Sequence, residues 1–373
     1  MPKTATAHRL TRLASLIREN AADALLVSHG RNRRYLTGFR DEDDEVDESA
    51  GWVIAVADGR ATLFCSAMSA GEAARDVGDA TIIAVPAPLA DGIVEAVAAH
   101  IRQAGYAKVG FEPHLAWHWH AELVEALPDV SFVPLWGLVE WTRMTKDAGE
   151  ITAIRRAAAL TDGAYAAAVA AMRPGVTEAA IAWVIDHHFR EHGGDPMPAF
   201  PTIVAAGVNA ALPHHIPDDT PLRIGEPVIL DLGARVDGYC ADITRTVALA
   251  HADDHLRRIY DAIIAGMEAG IAMLRPDVLA RDAANAAIAA IEREYGFTPV
   301  HTLGHGVGLA VHEWPWVTPQ EDGVMLEPGM LATAEPGFYD PAWGGVRVEE
   351  TVLITARGPE ILSTASRALV IPV

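Results

Sequence analysis

Two aspartates, Asp231 and Asp242, lie eleven positions apart in the run DLGARVDGYCADITRT, with Asp237-Gly238 between them. The flanking segments EPVILDLGA and YCADITRTVAL are β-rich. Asp-Gly between two such runs is a strong hairpin signal, because a primed two-residue turn needs positive φ. With Asp237 and Gly238 as the turn, Asp242 falls opposite Gly233, and Asp231 lies two residues along the same face. With the turn one residue earlier, the two aspartates are directly opposed. Either register sets both carboxylates on one face, about 5–8 Å apart. Like charges so placed weaken a sheet unless a cation compensates. Arg235 and Arg245 are the nearest cations, and strand alternation lets only one of them share that face. A bound metal is the simplest compensation, and the chain must then supply further ligands.

Three other stretches offer them. HTLGHGVGLAVHE sets His301, His305 and His312 among glycines, which allow close backbone approach. LATAEPGFY places Glu335 in an apolar strand ended by Pro336-Gly337, and GGVRVEETVLI places Glu349 in a valine-rich strand. Acids in such runs are seldom buried unless paired. One strand carboxylate is ordinarily a surface residue. Two Asp, two Glu and one His together are the ligand set of a two-metal site. Oxygen-rich ligation with a single imidazole suits Mn²⁺ or another borderline divalent ion better than a thiolate-bound zinc. The HWH triplet at 118–120 has no acidic companions and is not read as a ligand pair.

The stretches DLGARVDGYCADITRT, LGHGVGLAVHE, AEPGFY and GVRVEE resemble the signatures of the pita-bread metallopeptidases. These are the Xaa-Pro dipeptidases (prolidases), the Xaa-Pro aminopeptidases and the methionine aminopeptidases. RNRRYLTGF resembles the start of the extra domain in the proline-specific branch. The resemblance implies an α+β fold: a C-terminal pita-bread (creatinase/aminopeptidase-like) catalytic domain behind a smaller α/β creatinase-type N-terminal domain. It implies two divalent metal ions, Mn²⁺ first, with Co²⁺ or Zn²⁺ as alternatives. Asp231 would hold one metal, His305 and Glu335 the other, and Asp242 and Glu349 would bridge both. Glu335 matches the general base or proton shuttle. His214, the first of the pair in ALPHH, and His312 match histidines that hold substrate and polarise the scissile carbonyl. Arg347 would hydrogen-bond a ligand carboxylate, and Thr244 would do the same for Asp242.

The implied substrate is a small peptide with proline in the second position, cleaved by a metal-bridging hydroxide. The implied assembly is a homodimer paired through the N-terminal domain. One position departs from the pattern: where archaeal prolidases read HEWPR, this chain reads HEWPW. An arginine fork suits the free carboxylate of a dipeptide, whereas Trp316 has one N–H and no charge. Either another arginine, from GRNRRY or Arg40, takes over the clamp, or Trp316 stacks on the proline ring or a following residue and tripeptides are accepted alongside dipeptides. Two rival readings use the same fold. One is a metal-dependent hydrolase of a small non-peptide amide metabolite, distinguished only by its loops. The other is a non-catalytic binding protein, which the presence of all five ligands disfavours.

The elements around these residues follow from pattern and punctuation. At 373 residues the chain can build two domains with full cores. A formal net charge of −21 argues against nucleic acid or an anionic membrane as partner. No run approaches a membrane span, and MPKTATAHRLTRLASLIREN lacks the apolar core of a signal peptide, so a cytoplasmic location is expected. Cys65 and Cys240 are expected as buried reduced thiols, with Cys240 a small filler beside Asp242. In 1–143, HRLTRLASLIREN and ADGIVEAVAAHIRQAGY read as helices, while DALLVSH, GWVIAVADGRATLFCS and KVGFEP read as strands. The seven acids within 41–48 read as a solvated loop or as one that overhangs a site and draws cationic substrate ends. WTRMTKDAGE marks the boundary to 144–373. There, helices are expected near 148–172, 177–193, 253–274 and 280–295, with hairpins in 200–250 and a β-rich stretch after 300.

Overall fold

The structure, a computed structural model, describes residues 3–41, 49–86, 88–299, 301–321 and 323–373. Most of the acidic run, residues 42–48, lies outside the described residues, and so does the role expected of it. Two compact units emerge, Met1–Arg143 and Met144–Val373.

The first unit is built on a six-stranded mixed sheet. Its order is Thr81–Val85, Ala61–Ser66, Gly51–Val56, Ala24–Val27, Lys108–Phe111, Ser131–Pro134. Ala24–Val27 and Gly51–Val56 are buried along their whole length, which accounts for their unbroken apolar runs. Helix Lys3–Glu19 buries Leu13 and Ile17 completely. Helix Gly30–Thr37 carries no apolar stripe and was invisible to periodicity. Tertiary bonds account for its buried Arg33, which donates to the carbonyls of Gly51 and Asp41 at 2.7 Å each.

The second unit repeats one arrangement twice. Helices Ala148–Ala171 and Glu178–Glu191 share a core with a four-stranded sheet ordered Val370–Ile371, Ile243–Leu249, Pro227–Leu232, Ile203–Ala206. Helices Asp254–Met273 and Ala280–Tyr295 share another with the sheet Leu331–Ala334, Glu350–Thr355, Gly358–Ile361. The helix starts carry their own chemistry. Asp147 forms a capping box with Glu150, and Thr177 Oγ1 accepts from the Ala180 amide at 3.2 Å. The two sheets are joined where it matters for the carboxylates: the Glu349 amide donates to the Thr244 carbonyl at 3.0 Å, and Thr246 Oγ1 donates to the Arg347 carbonyl at 2.8 Å. The chain is α+β, with grouped helices and hairpins that carry the polar residues. Among the described residues, no helix is long and apolar enough to cross a membrane.

Candidate active site

The hairpin forms in the first of the two registers. Asp237 and Gly238 have φ of 51° and 80°, the signs that a primed turn demands, and Tyr239 pairs with Val236. Further down, Thr244 pairs with Asp231 and Ile243 with Leu232, so Asp242 comes opposite Gly233. A Cβ on Gly233 would stand 2.2 Å from the Ala241 carbonyl oxygen, so the crossing strand admits only glycine there. The second sheet brings the other acids: Glu335 follows strand Leu331–Ala334, and Glu349 precedes strand Glu350–Thr355. His305 enters on the short strand Gly304–Gly306. Cβ atoms on its two glycines would lie 2.2 Å from the carbonyls of Thr333 and Trp314.

All eight residues singled out by sequence line one cleft of about 680 Å³: Asp231, Asp242, His305, Glu335, Glu349, His214, His312 and Arg347. Ligand atoms of Asp242, His305 and Glu349 lie within 4.8 Å of one another. His305 Nε2 is 3.0 Å from Glu335 Oε1 and 3.9 Å from Asp242 Oδ2. Arg347, buried, donates from Nη2 to Asp231 Oδ2 at 2.6 Å and from Nε to Thr244 Oγ1 at 3.1 Å. Thr244 departs from expectation. Its hydroxyl donates to Glu349 Oε2 at 2.8 Å instead of to Asp242, because the Glu349 amide sits on the carbonyl of Thr244 itself. Cys65 and Cys240 are both free and buried; Cys240 Sγ lies against the Leu309 carbonyl, and the residue is not among those lining the cleft.

The electrostatics follow from crowding. Burial, then Glu349 and Asp231, drive the Asp242 carboxyl well above its usual range. Burial, then Glu335 and Asp231, do the same to Glu349. Asp231 is raised by burial despite the Arg347 guanidinium. Burial would raise Glu335 too, but the His305 hydrogen bond and charge outweigh it and bring that carboxyl to about 2. His305 moves up in turn, its burial offset by Glu335. Two buried carboxylate oxygens, Asp231 Oδ1 and Glu349 Oε1, have no hydrogen-bond partner. An orphaned buried acceptor is costly. Hard, oxygen-rich donors beside one imidazole fit divalent cations, which would take up both oxygens.

Sequence reasoning missed three supports. Tyr339, in the quoted AEPGFY run, receives Arg347 Nη1 on its hydroxyl at 2.7 Å and faces His301 Nε2 at 3.1 Å. Glu313 follows His312 and pairs with Lys146 at 2.8 Å, the two side chains 5% and 1% exposed. Its other oxygen accepts from the Ala310 amide at 3.2 Å, which ties down the turn that carries His312. Breaking a buried pair leaves an uncompensated charge and costs about 3–5 kcal/mol. Lys146→Met is therefore expected to lose that much stability in chemical denaturation. A loss below about 1 kcal/mol would show the pair to be dispensable. The third support is Glu178, buried at the start of helix Glu178–Glu191.

The profile of metallopeptidase family M24 matches residues 152–356, and that of the creatinase/prolidase N-terminal domain matches residues 9–145. The chain belongs to metallopeptidase family M24. An Xaa-Pro dipeptidase of Pyrococcus horikoshii is 30% identical over 97% of this chain and 98% of its own length. Among solved structures, the Xaa-Pro dipeptidase from Bacillus anthracis superimposes with a TM-score of 0.90 at 32% identity, covering 99% of this chain and 100% of that one. The X-Pro aminopeptidase from Thermotoga maritima gives 0.83 at 27% identity, over 95% and 98%. An M24 catalytic unit behind a creatinase-type N-terminal domain is thus the architecture of this chain, and its carboxylate and histidine cluster can hold metal.

Proposed function

We propose that this M24 cleft hydrolyses the Xaa-Pro bond of dipeptides and short peptides with two divalent cations, Mn²⁺ first among them. The observation that carries the reading is the pair of buried, unpartnered oxygens, Asp231 Oδ1 and Glu349 Oε1, inside a five-ligand cluster. The Xaa-Pro names of relatives in both the dipeptidase and aminopeptidase branches support it. When bound, the cations lower the pKa of water toward neutrality and polarise the scissile carbonyl. Asp231 would hold one, His305 and Glu335 the other, and Asp242 and Glu349 both. Arg347 holds Asp231 by Oδ2 and leaves Oδ1 to ligate; Thr244 holds Glu349 by Oε2 and leaves Oε1. His305 and Thr333 both end on Glu335 Oε1, which leaves Oε2 to ligate, and the Glu335 carboxylate would also carry a proton to the leaving prolyl nitrogen. His214 and His312, exposed on the cleft, hold the substrate's carbonyl. Phe200, Ile216 and Trp316 supply an apolar wall for the proline ring. The test is turnover of an Xaa-Pro dipeptide against its Xaa-Ala counterpart with Mn²⁺ added. Equal rates on the two would overturn the reading.

The far end of the substrate yields a second expectation. Among the described residues lining the cleft, the one Arg or Lys is Arg347, already bonded to Asp231, Thr244 and Tyr339. Trp316 stands on the wall, its ring centroid 6.1 Å from that of His305 and 6.5 Å from that of His312. A missing charged hydrogen-bond pair is worth about 1.5–3 kcal/mol, or roughly 10- to 150-fold in discrimination. We expect kcat/KM for an Xaa-Pro dipeptide to exceed that of its one-residue extension by less than about a hundredfold. A larger preference would send the search for a carboxylate clamp to the N-terminal arginines, of which Arg33 is already bonded to two carbonyls.

A further inference from the structure

His214 lines the cleft, yet among the described contacts it makes no hydrogen bond of its own. Its imidazole is therefore placed by the loop that carries it. That loop is tied to one buried carboxylate. Glu178, at the start of helix Glu178–Glu191, is 0% exposed. Its Oε1 accepts from the Ala206 amide at 2.7 Å and from Asn209 Nδ2 at 3.0 Å. Its Oε2 lies 2.7 Å from His215 Nε2 and accepts from the Asp218 amide at 3.2 Å. The end of strand Ile203–Ala206, the turn Gly207–Ala211 and the loop beyond thus converge on a single side chain.

Glu178, His215 and Asp218 also stand close enough to hold a cation. Each Glu178 oxygen already meets two donors, however, which uses the two lone pairs a carboxylate oxygen offers. The cluster is a latch. It clamps His215, which lines the cleft beside His214, and so fixes the backbone that carries His214. The same loop is seated from below: a Cβ on Gly344 or Gly345 would come within 2.5 and 2.1 Å of the carbonyls of Gly207 and Ala210. Those two glycines lie on the strand Gly344–Arg347, and Arg347 Nη2 reaches the Pro213 carbonyl at 3.4 Å. The loop is therefore set against the same strand that orients Asp231.

We propose that Glu178, acting through His215, is a positioning residue that sets His214 against the substrate. The inference rests on the substrate-holding role given to His214 under the proposed function. Displacing a binding group by about 1 Å costs on the order of a hundredfold in rate. Glu178→Gln keeps the shape but turns an NH₂ toward donors, so kcat on an Xaa-Pro substrate should fall about 10- to 100-fold with metal content unchanged. A merely structural role would not predict the next two results. Combined with His214→Ala, Glu178→Gln should add no further loss, because both act on one group. Amide exchange should quicken in 207–218 and stay unchanged in 227–249.

His215→Leu should behave like Glu178→Gln, while His215→Gln, whose amide donates to the same oxygen, should keep most of the activity; this pair decides the matter if Glu178→Gln fails to fold. Losses that multiply in the double variant overturn the inference, as does metal loss from Glu178→Gln, and both leave the proposed function standing. A wild-type protein without Xaa-Pro turnover sinks the proposed function itself, a result that no Glu178 variant can mimic.

Discussion

Thorough chelation is expected to abolish turnover and to lower stability, with the stability gap widening as pH rises. The reason is the state of the carboxyls when no cation is present. Asp242, Glu349 and Asp231 have pKa values raised by burial and by neighbouring carboxylates, Glu335 among them. A raised carboxyl binds a proton in the folded chain that the unfolded chain has released. Its contribution to stability is present below the ordinary carboxyl value of about 4 and is lost as pH climbs through the raised one. His305, also raised, works in the same direction above about 6.5. Glu335, brought to about 2, works the other way, but only in the acid range between 2 and its ordinary value. Cations replace those protons, so the loaded protein escapes the loss. A ligand specific to the folded state adds about 2.7 kcal/mol at a hundredfold excess over its Kd. For a unit of this size that is roughly 5–10 °C in Tm. Thermal unfolding from pH 5 to 8, with and without Mn²⁺, reads the gap directly. Metal uptake in weak buffer should also release protons. Full activity in a verifiably metal-free sample would end the two-metal reading.

Asp242→Asn and Glu349→Gln are expected to lose metal and turnover together, with kcat/KM down by about 10⁴-fold or more. Each carboxylate is assigned to both cations, and each sits where its charge is most strongly opposed by neighbours. Removing the charge forfeits the metal bonds, but in the apo protein it relieves the crowding. Their apo forms should therefore be no less stable than the wild-type apo protein. His312→Ala is the contrast. It lies beside His305, with ring centroids 4.3 Å apart, but exposed on the cleft. It should keep its metal and lose about 10²–10⁴-fold in rate, the scale of one positioned polar group. Metal analysis of the three variants beside their kinetics separates the roles. A metal-free His312→Ala, or a metal-replete Asp242→Asn, would reverse the assignment.

The chain's local grammar determined much of this. Asp237-Gly238 specified the turn, alternation put Asp231 and Asp242 on one face, and the glycines around His305 announced a close backbone approach that the strands at Thr333 and Trp314 make necessary. Helix starts near 148 and 177 were legible because a cap is a contact within four residues. Helix Gly30–Thr37 was not, because its buried Arg33 is satisfied by carbonyls at Gly51 and Asp41. Only the tertiary structure decided which oxygen of each ligand is held and which is free. Thr244 serves Glu349, Arg347 serves Asp231, and Glu178 takes His215. These pairs join residues from 37 to 116 positions apart. Periodicity and turn chemistry act over a few residues and state which face a side chain takes. The partner that it meets there depends on how two separately built sheets come together, and no local pattern carries that information.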